Sequence, residues 1–255
     1  MTLDHFTTSD GVRIAYRILG EQNDRDVMLI HGLFSNGELN WVKFGHAQKL
    51  ADAGFRVILP DLRAHGSSDA PHGADHYPDD ILARDMEELI THLDLDDYDL
   101  GGFSLGARTT VRLLMRGAQK GAKGPGKVIL AGMGLEGLAG WSKRKDFFLD
   151  AIAHFDEIKH GDPRFMTVSF MKTMKVDREA AKLLLGTFTD TDPQALAQIT
   201  QPTLVVCGTE DFDNGSAEKL VAALPNATYA PVPGTHMSSV AEGAMGDAIV
   251  SFLLS

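Results

Sequence analysis

"LGGFSLGARTT", residues 100–110, places Ser104 between two glycines, after a short apolar run and before a stretch with helical spacing. In Gly102-Phe103-Ser104-Leu105-Gly106, small residues two positions either side of the serine let a strand and a helix approach closely. The serine is then forced into an unfavourable backbone conformation that presents its hydroxyl above the sheet. Glycine-rich loops produce the bare pattern by chance. Its weight comes from position, with a strand expected before it and a helix after it.

That rhythm runs along the chain. Short apolar runs ending in Gly, Asp or Ser occur at 26–32, 55–61, 98–104, 127–132, 202–208 and 227–234, and suit strands buried on both faces of a parallel sheet. Between them, 41–54, 79–95, 105–117, 216–225 and 238–255 have helical periodicity. Alternating strands and helices imply an α/β fold built on a doubly wound, mostly parallel sheet. An antiparallel pair is expected at the start, around Ser9-Asp10-Gly11.

One interval breaks the alternation. From 133 to 199 no strand pattern occurs, while 143–155 and 177–188 are amphipathic. The chain is therefore read as a core of 1–132 and 200–255 with a helical cap at 133–199. Ligands of such sheets bind outside the carboxyl ends of the strands, so an insertion leaving a strand end at Gly132 would roof the site.

With 24 Lys plus Arg against 35 Asp plus Glu, the formal charge of -11 argues against a general affinity for nucleic acid or anionic membrane. A neutral or cationic small molecule suits it better. The single cysteine, Cys207, lies in an apolar run and reads as a small buried hydrophobe. The first 20 residues lack a secretory pattern and no apolar run approaches the roughly 20 residues of a membrane span, so a cytoplasmic protein is expected. The basic, glycine-rich stretch 116–127 reads as a solvated loop.

A serine hydroxyl needs a base to take its proton, and the base needs a carboxylate to fix its tautomer. His236, in the loop after the last strand run, is the candidate base. The preceding strand end, "VVCGTEDFDNG" (205–215), offers Glu210, Asp211 and Asp213. The order Ser, acid, His then matches a known arrangement, with Asp211 the first choice and Asp213 the fallback. The earlier strand end at 129–137 carries only Glu136. His72, Asp75 and His76 lie close in sequence, but in a Gly- and Pro-bounded loop without a metal-binding motif, so no metal is expected. No dinucleotide or phosphate loop is present, and no cofactor is expected.

These residues resemble an α/β-hydrolase-fold serine hydrolase of the esterase and lactonase type, over nearly the whole chain. "LIHGLFSN" (29–36) resembles the family's His-Gly segment, and "LPDLRAHGSSDAP" (59–71) its Asp-x-Arg-Gly-His-Gly-x-Ser loop, with Ala64 where glycine is common. That exchange is expected to affect turn geometry only. The resemblance implies an oxyanion hole from the backbone N–H groups of Leu33 and Leu105. It gives His31 and Gly32 a supporting role beside Gly102 and Gly106, and makes Asp61, Arg63 and His65 structural.

The function expected is hydrolysis of small-to-medium, largely apolar carboxylic esters through an acyl-enzyme on Ser104. The same triad could instead serve lactones, perhydrolysis or the carbon–carbon bond of ring-cleavage products, and a small-molecule receptor is the reading from another class. The cap's Met133, Met166, Met171, Met174, Trp141 and phenylalanines either line an acyl pocket or form the seam between cap and sheet. The expected partner is a small ester, and monomer and homodimer stay equally open.

Overall fold

A computed structural model describes residues 1–121 and 123–255. Eight strands form one sheet: β1 (Leu3–Thr7), β2 (Arg13–Leu19), β3 (Arg25–Ile30), β4 (Phe55–Pro60), β5 (Tyr98–Phe103), β6 (Val128–Ala131), β7 (Thr203–Gly208) and β8 (Ala227–Val232). Their order is β1-β2-β4-β3-β5-β6-β7-β8. The β1/β2 and β2/β4 pairs are antiparallel and all later pairs are parallel. Except for β7, which keeps Gly208 in the sheet, each parallel strand stops short of the run read from sequence, because its terminal Gly, Asp or Ser turns out of the sheet into a loop. β8 also departs from the expected double-sided burial: it is the edge strand, half exposed, and tolerates Pro231 there.

The ten helices assigned among the described residues are α1 (His46–Asp52), α2 (Ile81–His92), α3 (Leu105–Lys120), α4 (Leu135–Ala139), α5 (Trp141–Ala153), α6 (Phe165–Met174), α7 (Arg178–Leu185), α8 (Ala217–Ala223), α9 (His236–Ser239) and α10 (Gly243–Leu254). Strand period 2 sends alternate residues to opposite faces. Val27, Leu29, Leu204 and Val206 pack with residues of α1 and α10, whereas Met28, Ile30, Val205 and Cys207 face the side covered by α2, α3 and α8. The sheet is thus wound on both sides.

Two helical stretches are shorter than their periodicity suggests. Gly45 adopts a left-handed φ of 81° and starts α1 afresh after a short π turn at Glu38–Val42. The C-terminal pattern splits into α9 and α10, with Glu242 in extended conformation between them. The stretch 116–127 departs the other way: its first five residues continue α3, where Arg116 and Lys120 both hold Glu87, so this part is helix and not loop. Ala122, inside the same stretch, lies outside the described residues.

Packing subdivides the insertion. Met133, Leu138, Leu196 and Ile199 join the core cluster under α8. From Trp141 to Phe188 a separate cluster forms around Ala151, Ile152, Val168, Met171, Ala181 and Leu185, with Phe34 of the core as a member. Arg108 of α3 fastens both crossings between these parts. It donates to the carbonyls of Gly137 (2.6 Å) and Leu138 (3.0 Å) on the way in and of Thr189 (2.8 Å) on the way out. Burial lowers its pKa to about 10, and three backbone carbonyls accept from this cation. Replacing Arg108 with Met strands those carbonyls and should lower unfolding free energy by about 2–3 kcal/mol. Urea unfolding measures the loss, and limited proteolysis should show faster cleavage within 133–191 than in the wild type.

Candidate active site

Ser104 follows β5 directly and precedes α3, with φ 54° and ψ -109°, a conformation costing about 1–3 kcal/mol. The neighbouring glycines explain how it is held. A Cβ on Gly102 would overlap the carbonyl carbon of Gly106, and one on Gly106 would overlap the carbonyl oxygen of Ile30. Any side chain at either position would push α3 away from β3 and β5. The Ser104 N–H is anchored by the Ala131 carbonyl at 2.8 Å, which ties the turn to β6.

His236 opens α9, and its Nε2 lies 3.1 Å from Ser104 Oγ. It therefore occupies the first turn of a short helix, where the sequence reading had a loop. Thr235 fixes that turn through a reciprocal capping arrangement with Ser238. His236 Nδ1 lies 2.9 Å from Oδ2 of Asp211, whose side chain is 2% exposed. With the proton on Nδ1, His236 donates to Asp211 and turns its Nε2 lone pair toward the serine hydroxyl. The Phe103 ring packs against His236 at a centroid distance of 4.9 Å.

The other carboxylates go elsewhere. Asp213 donates its backbone N–H to Asp211 Oδ1 at 3.2 Å, so it shapes the turn that presents Asp211. Glu210 is exposed. Glu136 accepts from Ser216 N–H (2.9 Å) and Lys219 Nζ (2.7 Å), and fastens α4 to the start of α8.

Gly32 brings the His-Gly segment against the serine: a Cβ placed on it would lie 3.6 Å from Ser104 Cβ. Its N–H donates to Asn40 Oδ1 (3.0 Å), which fixes the His31–Gly32 peptide. Leu105 is the first residue of α3, and the N–H groups of a first helical turn have no partner inside the helix. His31 is fully buried. Its Nε2 accepts from Leu62 N–H at 2.9 Å, which leaves Nδ1 to donate to the Gly32 carbonyl at 2.7 Å. This neutral tautomer ties two loops together. Asp61 accepts from Gly37 N–H (2.8 Å) and Ser67 N–H (2.9 Å), and Arg63 is clasped by Asp10 and Asp85. Ala64 takes a φ of 63°, the left-handed conformation glycine would adopt without strain.

Two further residues lie beside Ser104, directly or through one another, without having been read from sequence. Asn214 is buried, with its Nδ2 2.7 Å from the Gly132 carbonyl and 3.5 Å from Ser104 Oγ. Arg144 of α5 donates to Asn214 Oδ1. Asn214 is three residues past Asp211, in a stretch whose carboxylates are its visible chemical signal and whose amide gives none. Arg144 sits in an ordinary amphipathic helix pattern.

Of the cap methionines, Met133 and Met171 are buried in packing seams and Met166 is 73% exposed. His72 lies against Asp177 (2.9 Å) and Glu179 of the cap, and His76 against Asp10 (3.2 Å), so those histidines serve loop contacts. Burial pushes the Cys207 thiol up to about 12, which suits an inert core residue. No helix among the described residues is long and apolar enough to cross a membrane.

A serine on a strained strand-to-helix turn at the carboxyl edge of this sheet, with a histidine and a carboxylate from later strand ends, defines an α/β-hydrolase-fold protein. Residues 27–128 match the family model described as alpha/beta hydrolase fold. A non-heme chloroperoxidase of Kitasatospora aureofaciens is 38% identical over 110 residues, 43% of this chain and 38% of its own length. A 2-hydroxy-6-oxononadienedioate/2-hydroxy-6-oxononatrienedioate hydrolase of Escherichia coli is 30% identical over 129 residues, 50% of this chain and 42% of its own. These matches thus span less than half the length of the relatives. Among solved structures, a hydrolase from Pseudomonas aeruginosa superposes with a TM-score of 0.80 at 24% identity, covering 100% of this chain and 99% of that one. The enol-lactonase from Burkholderia xenovorans gives 0.75 at 21%, covering 99% and 100%.

The histidines behind the His-Gly segment carry a pH signature. Burial lowers the pKa of His31 below the usual 6.5, and burial together with His31 lowers His65 to about 3. Below pH 6.5 the unfolded chain takes up protons that the folded one refuses, so stability falls with acid, by up to about 1.4 kcal/mol per pH unit for each such histidine. Denaturant titrations at pH 7 and pH 5 should show the loss, and His65→Gln should flatten the slope.

Proposed function

We propose that the protein hydrolyses acyl bonds through a covalent intermediate on Ser104. The observation that carries this reading is the continuous path from Asp211 Oδ2 to His236 Nδ1 (2.9 Å) and from His236 Nε2 to Ser104 Oγ (3.1 Å), on a strained turn. Ser104 Oγ attacks the carbonyl carbon as its proton passes to His236 Nε2, and the carbonyl electron pair becomes an oxyanion. The N–H groups of Leu33 and Leu105 receive that charge. Donors aimed at a developing oxyanion are worth about 10² to 10³ in rate each, because the charge is absent in the ground state. His236 then returns the proton to the leaving alkoxide, whose bond to the acyl carbon breaks. Water repeats the sequence on the acyl-enzyme.

Esters and lactones are the substrates proposed. Next to the proposed oxyanion donor the surroundings are hydrocarbon: Leu33 packs against the apolar cluster in which Phe34 stands 6.0 Å from Phe148, and Phe148 stacks on Trp141 at 5.7 Å. A small-to-medium, largely apolar acyl compound suits such a surface.

Steady-state hydrolysis of p-nitrophenyl butyrate tests the assignment. Ser104→Ala should abolish turnover above background, and Asp211→Asn should lower kcat by about 10³- to 10⁴-fold by disturbing the His236 tautomer. Asp213→Asn should change kcat by less than about tenfold, since only its backbone touches Asp211. Equal losses in Asp211→Asn and Asp213→Asn, or full activity in Ser104→Ala, would contradict the assignment.

A further inference from the structure

Arg144 differs from the other well-covered arginines. Arg63, Arg112 and Arg164 each hold at least one carboxylate. Arg108 has three backbone carbonyls. Arg144 is half-buried, and its hydrogen bond goes to a neutral amide oxygen, Oδ1 of Asn214. A guanidinium has five N–H donors in a fixed fork that suits carboxylate geometry, so four remain for another acceptor. Asp211 and Asp213 act on Arg144 through space; the first is engaged by His236 and the second is exposed. Burial lowers the Arg144 pKa, which means the site disfavours the bare cation, a cost that an incoming anion would offset.

Arg144 is also close to the chemistry. Asn214 links Arg144 to Ser104, and its orientation is fixed because Nδ2 must face the Gly132 carbonyl, leaving Oδ1 for the guanidinium. A substrate whose scissile carbonyl reaches Ser104 can therefore place a second group at Arg144. We propose that Arg144 is a specificity-determining residue that receives a carboxylate carried by the substrate, so that preferred substrates are acidic esters or lactones. The span of one amide and two hydrogen bonds sets about three to five carbon atoms between that carboxylate and the scissile carbonyl. The chain's net charge of -11 disfavours anions in general, and of the two carboxylates that act on Arg144, Asp211 is engaged by His236 and Asp213 is exposed and solvent-screened, so the half-buried guanidinium is the charge an acceptor at short range would meet. The inference rests on Ser104 being the nucleophile.

The test compares mono-p-nitrophenyl glutarate with p-nitrophenyl pentanoate, which have equal chain length and differ in a terminal carboxylate. In wild type, kcat/KM should favour the glutarate by about tenfold or more, as expected for a charge-assisted hydrogen bond. Arg144→Met should bring the ratio to one or below, mainly through the KM of the glutarate, and Arg144→Lys should keep part of the preference. Both rates come from one preparation, so the ratio does not depend on the folded fraction. Free glutarate should also inhibit the wild type more tightly than pentanoate, a measurement that needs no variant. A wild-type preference for the pentanoate ester, a ratio unmoved by Arg144→Met, or equal inhibition by the two acids would overturn the proposal. Turnover of neither ester would instead overturn the Ser104 reading, and this inference with it.

Discussion

The contact between Gly102, Gly106 and the Ile30 carbonyl is the constraint on which the candidate site depends. Three pieces of backbone, from β5, α3 and β3, meet where no Cβ has room. That closeness leaves Ser104 no ordinary conformation, and the rest of the sheet must offset a strain of about 1–3 kcal/mol. Parallel pairing of β5 with both β3 and β6 supplies the rigidity that keeps the turn from relaxing.

From that point the other parts follow in sequence. The same close approach sets Gly32 beside Ser104 and starts α3 at Leu105, so the two N–H groups proposed for the oxyanion come from segments already locked to the elbow. Phe103, one residue before the serine, packs against His236, and Gly132 leaves room for that ring, since a Cβ there would lie 2.5 Å from it. The positions of Ser104 and His236 are therefore not set independently. The cap is fastened to the same helix through Arg108 and reaches the serine through Arg144 and Asn214.

Much of this was legible from residue order alone. Alternating apolar runs and helical periodicities specified the sheet, because burial on both faces of parallel strands leaves an unmistakable hydrophobic signal. The pattern around Ser104 could be interpreted because its glycines have one steric purpose. Legibility failed where tertiary context decides. Gly45 ends one helical pattern with a left-handed turn and Glu242 interrupts another, and neither residue type compels such a break. Arg116 and Lys120 look like loop charges until Glu87 arrives from α2. Asn214 and Arg144 were invisible because an amide and a helix-face arginine acquire meaning only from the groups across from them.

The central claim is that Ser104, presented by the strained turn and activated by His236, is a covalent nucleophile. Its most direct test is labelling of the folded wild-type protein with a fluorophosphonate, followed by intact-mass and peptide mass spectrometry. The account predicts one adduct per chain, mapped to Ser104 and lost in Ser104→Ala but retained in Ser9→Ala. No adduct on the folded wild type, or an adduct mapped to another residue, would contradict it.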